Sequence, residues 1–126
     1  MTINNITTSI HQMEQQLNTV KQYVKLRWDG SDNAIILANY FEPNGCIVDA
    51  EGVEHTGFHN LVNYYKQPTP TPTEVKDPVT LRDGRVMVEF SVVKYMMTWN
   101  LKAYFEFVKN STLLHKVTIE RPGFFS

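Results

Sequence analysis

The hydrophobic pattern changes period along the chain. Ile10, Met13, Leu17, Val20 and Val24 recur at spacings of three and four residues, so Thr8 to about Arg27 reads as an amphipathic helix, with Tyr23 beside the stripe. Trp28 to Asp32 ends it: Gly30 breaks, and Ser31 or Asp32 can cap a second helix over Asn33 to Phe41. Pro43 and the pair Asn44-Gly45 are expected to stop that helix. A short apolar strand, Cys46-Ile47-Val48, then delivers Asp49 to a turn containing Glu51-Gly52, and a second strand runs back. Gly57 to Lys66 reads as a third helix with Phe58, Leu61, Val62 and Tyr65 on one face. Gln67 to Pro78 carries Pro68, Pro70, Pro72 and Pro78 and is expected to be an extended connector.

Beyond the connector the period becomes two. Val79 to Arg82 leads into an Asp83-Gly84 turn, and Arg85 to Met97 alternates through Val86, Val88, Phe90 and Val92. From Thr98 to Val108 the residues Trp99, Leu101, Ala103, Phe105 and Phe107 share one face. Asn100, Lys102, Tyr104 and Glu106 share the other. Asn110-Ser111 turns the chain into a last strand, Leu113 to Arg121, which Pro122-Gly123 ends. Helices first and a strand meander afterwards predict an α+β fold, one curved antiparallel sheet wrapped around about three N-terminal helices as a cone. The cone's mouth is the place for an apolar pocket.

Composition narrows the picture. The 126 residues fit one domain, 1–126. Twelve Lys and Arg against 13 acids leave no basic footprint for nucleic acid or a membrane surface. The one cysteine, Cys46, excludes an internal disulfide and a cysteine zinc site, and is expected to be buried and inert. No signal peptide is evident at the N-terminus, and a cytoplasmic location is expected. His55 and His59 are four apart, but Thr56-Gly57 lies between them where the helix opens, so no metal is expected. Phosphate loops, dinucleotide fingerprints and nucleophile elbows are absent from the sequence, and no cofactor is expected.

The element order resembles the nuclear transport factor two-like (NTF2-like) superfamily. The resemblance rests on Ile47-Val48-Asp49-x-x-Gly52-x-x-x-x-Gly57, the Asp83-Gly84-Arg85 hairpin and Tyr104-Phe105-Glu106-Phe107, and spans roughly Ser9 to Arg121. That superfamily includes ketosteroid isomerases, scytalone dehydratase and SnoaL-like polyketide cyclases. Likeness to the ketosteroid isomerases implies Asp49 as general base and Tyr23 as a helix-borne donor to an oxyanion. The second acid of those enzymes falls at Ala103, which cannot donate, so half of that oxyanion hole is missing here.

Proton abstraction beside a carbonyl needs a base in reach and a donor where charge gathers. Asp49 and Tyr23 fit those roles, and burial is expected to make Asp49 the stronger base. Asp49 can equally accept hydrogen bonds from the turn amides of Glu51 and Gly52, and Tyr23 can equally be a rim tyrosine with a satisfied hydroxyl. His115, in step with Leu113, Val117 and Ile119, is a candidate acid–base group facing the cavity. Trp28, Trp99, Ala103 and Phe105 are the expected pocket lining. The expected function is an apolar-ligand pocket with isomerase, cyclase or dehydratase chemistry. The alternative is a non-catalytic association module, homodimeric through the outer sheet face around Tyr104.

Overall fold

The computed structural model describes residues 3–29 and 32–121, with side chains from Ser9 onward. Gly30, Ser31, Pro122-Gly123 and Phe124-Phe125 therefore lie outside the described residues. Helix α1 runs Ile3–Arg27, α2 Ala34–Ala38 and α3 Phe58–Lys66. The strands are β1 Phe41–Val48, β2 Glu54–Thr56, β3 Glu74–Val75, β4 Val79–Thr80, β5 Val86–Lys94, β6 Met97–Phe107 and β7 Leu114–Glu120. They form one seven-stranded sheet in the order β2-β1-β7-β6-β5-β3, with β4 also on β5. The fold is α+β as expected, but the sheet is mixed: β1 runs parallel to β7, while the other pairings are antiparallel.

The core lies between the helices and one sheet face. It joins Val20, Tyr23, Leu37, Leu61 and Tyr65 to Ile47, Val86, Val88, Phe105, Leu114 and Val117. Only the later part of the α1 stripe is buried. Val20 is inaccessible, whereas Ile10 and Met13 are exposed. In α3, Leu61, Val62 and Tyr65 are buried as expected, but Phe58, in the first turn, is exposed.

Three boundaries differ from the expectation, each for a backbone reason. Helix α2 stops at Ala38, and Phe41 already begins β1, so Pro43-Asn44-Gly45 lies inside a strand. The β1–β7 register shifts between Phe41 and Cys46, where the extra residues bulge. Gly45 is required in that bulge, since a Cβ there would sit 2.8 Å from the Phe41 Cβ. The long run from Arg85 folds back at Tyr95-Met96, both in the left-handed region at φ 55° and 61°, without the Gly or Asn that marks such a turn. At α2 the Asp32 carboxylate accepts the Ala34 amide at 3.2 Å. At the Asp83-Gly84 turn Gly84 takes φ +90°, and Asp83 accepts the Arg85 amide at 3.0 Å.

Candidate functional site

A cavity of about 700 Å³ opens between the end of α1, the β1–β2 turn, the start of the proline connector and the concave face of β5, β6 and β7. Asp49, Tyr23, Trp28, Trp99, Ala103 and Phe105 all line it. Gln67 to Pro70 close one side, so the connector is part of the wall.

Asp49 follows the last residue of β1. Its amide donates to the Val53 carbonyl at 2.9 Å, closing the hairpin turn. Its Oδ1 accepts the amides of Glu51 and Val53, each at 3.0 Å, and its Oδ2 lies 2.9 Å from His55 Nε2. The side chain is 17% exposed. Burial pushes its pKa up, but the hydrogen bonds from His55, Val53 and Glu51 prevail, and the net direction is downward. This is opposite to the shift expected for a carboxylate in an apolar pocket, because the turn supplies donors that periodicity does not reveal. Val53, rather than Gly52, is the second amide donor.

Tyr23 is 4% exposed and Tyr65 5%, and their hydroxyls hydrogen-bond to each other. Burial raises both pKa values well above the ordinary phenol range, so both hydroxyls are protonated at neutral pH. The Tyr23 ring also meets Phe105 edge-on at 5.1 Å and Tyr40 at 6.1 Å. Trp28 packs on Phe90 at 5.0 Å, and Trp99 Nε1 donates to the Lys94 carbonyl at 3.3 Å. Ala103 and Phe105 are buried on β6.

His115 is outside this cavity. Its side chain is 57% exposed, and its Nδ1 lies 2.8 Å from Glu42 Oε2. Leu114 pairs with Phe107 and Lys116 with Glu106, so His115 is the extra residue of a bulge and the strand's alternation resets there. Leu114 and Val117 therefore face the core, not Leu113 and His115.

The structure adds groups that the sequence reading did not select. Arg27 stands one turn beyond Tyr23 and lines the cavity, its guanidinium carbon 5.6 Å and 5.1 Å from the Tyr64 and Tyr65 ring centres. The i, i+4 spacing from Tyr23 was the available signal. Tyr64 lines the wall, and the His55 ring rests on it at 4.8 Å. His55 lies opposite Ile47 in the β1–β2 ladder, which brings it under Asp49. His59 is exposed on α3, a different element from His55. Cys46 is buried, and burial raises its thiol pKa, with Glu54 adding to the shift.

The sequence matches no protein-family model and no curated protein. Solved structures do match. An NTF2-like protein of unknown function from Cytophaga hutchinsonii aligns with TM-score 0.66 at 9% identity, over 85% of this chain and 89% of the other. A candidate polyketide cyclase from Xanthomonas campestris gives 0.68 at 11%, over 86% and 91%. A candidate isomerase from Bacillus subtilis gives 0.64 at 12%, over 88% of each. At these identities the likeness is one of fold, which this chain shares with the protein described as NTF2-like.

Proposed function

We propose that the cone binds a small, flat, apolar carbonyl or hydroxyl compound, and that Asp49 serves as general base in isomerase, cyclase or dehydratase chemistry. The observation that carries this reading is the convergence of Asp49, Tyr23 and the aromatic walls on one cavity. His55 and the turn amides hold the carboxylate in a fixed direction. An aspartate already ionised at neutral pH is ready to take a proton. Tyr23, backed by the Tyr65 hydroxyl, is the candidate donor to a developing enolate oxygen. The test is a panel of cyclic enones and polyketides, screened for thermal shift and then for turnover. Asp49→Asn should abolish turnover and leave ligand binding and the fold intact. A panel without any thermal shift overturns the pocket reading, and full activity in Asp49→Asn overturns the base.

A second reading, a non-catalytic module, draws on two observations: every Asp49 oxygen already has a structural partner, and Ala103 supplies no second acid. In either reading we propose a homodimer through the outer sheet face, where the Arg85 guanidinium lies over the Tyr104 ring at 4.6 Å. A monomer by sedimentation at micromolar concentration removes the dimer.

A further inference from the structure

We infer that the cavity takes a ligand bearing a carboxylate, and that Arg27 receives it. This rests on the small-molecule reading above and narrows the ligand class. Tyr23 and Arg27 leave the last turns of α1 on the same side, and both line the cavity. The Arg27 guanidinium is held over the Tyr64 and Tyr65 rings. The ion pairs among the described residues are His55–Asp49, Lys76–Glu89, Arg85–Asp83 and His115–Glu42, and none of them engages Arg27.

The charge of the lining is consistent with this role. Lys94 and Arg121 stand on the same lining and also lack an ion pair among the described residues. The acids of the lining, Asp49 and Glu51, belong to the β1–β2 turn rather than to α1. Asp49 already shares its oxygens with His55 and two backbone amides. A guanidinium without a carboxylate partner, fixed at the edge of an aromatic cavity, matches a planar carboxylate by paired N–H donors. An isosteric neutral ligand gains the same apolar contact but leaves that cation without a counter-charge.

The test compares 2-naphthoate with 2-naphthamide, which share a ring system and differ in charge. The chain has two tryptophans, Trp28 and Trp99, and both line the cavity, so quenching of their fluorescence reports occupancy. Naphthoate should bind at least about tenfold more tightly than the amide. Arg27→Gln should reduce that preference to about twofold. Added salt should weaken naphthoate alone, a reading on the wild-type chain that stands even if the variant fails to fold. Equal affinity for the two probes, a preference that survives Arg27→Gln, or naphthoate binding indifferent to salt would each overturn the assignment. If the amide binds and naphthoate gains nothing, only the carboxylate inference falls. If neither probe binds, the small-molecule reading falls with it.

Discussion

The Tyr23–Tyr65 hydroxyl pair can be weighed by a double-mutant cycle. Both rings are almost wholly buried, and their hydroxyls are each other's hydrogen-bond partner. The two sides differ, because Tyr23 lines the cavity and Tyr65 stands behind the wall. Tyr65→Phe strands the Tyr23 hydroxyl, which belongs to the residue that lines the cavity, and should cost about 1 kcal/mol. Tyr23→Phe strands the Tyr65 hydroxyl away from the cavity, which should cost about 2–3 kcal/mol. Replacing both by Phe removes donor and acceptor together and leaves the shape unchanged. The double variant should therefore lose only about 1–2 kcal/mol, well short of the sum of the singles. Urea unfolding at equal m-values measures all three, and the melting temperature should fall by about 4 °C per kcal/mol. Additivity within about 0.5 kcal/mol, or a larger loss for Tyr65→Phe than for Tyr23→Phe, refutes the reasoning.

Three further outcomes are expected. The folded-state pKa of Asp49 is depressed, so its contribution is complete above the unfolded value and is lost as pH falls through the folded one. The stability gap between wild type and Asp49→Asn, read from urea curves, should narrow as pH drops below about 4, and a pH-independent gap argues against an ionised turn acceptor. Ala103→Leu places new carbons in the cavity, so affinity for a naphthalene-sized probe, read by fluorescence, should drop about tenfold with a melting temperature within about 3 °C of wild type. Gly45→Ala forces its Cβ against Phe41 and the Glu42 carbonyl and should cost about 1–3 kcal/mol by urea unfolding, whereas a neutral effect means that the bulge can relax.

Periodicity made the long elements legible. The 3.6-residue stripe marked α1, and alternation marked the inward faces of β5 and β6, where Val86, Val88, Leu101, Ala103 and Phe105 are buried. The pairing of Asp49 with Tyr23 came from the resemblance rather than from periodicity, and both line the cavity. What it could not reveal was parity across a bulge. At His115 one unpaired residue turned a predicted cavity histidine into a surface one paired with Glu42. The Tyr95-Met96 turn was hidden because its left-handed residues are not the types that mark one. The partners of the site escaped for another reason. His55 reaches Asp49 across a hairpin and Tyr65 reaches Tyr23 across 42 residues of chain, contacts that exist only once the fold has closed.

The bulge in β1 also bears on how this chain can change in length. Between Phe41 and Cys46 five steps along β1 face two along β7, from Leu114 to Lys116. Every side chain after the bulge takes its face from that difference. Losing one residue at Pro43 or Asn44 would exchange the two faces, turning Ile47 away from the core and Asp49 away from the cavity. Losing two would restore them. The site therefore constrains the count of residues in a stretch whose own exposed side chains touch no ligand, and insertions or deletions there should survive only in pairs.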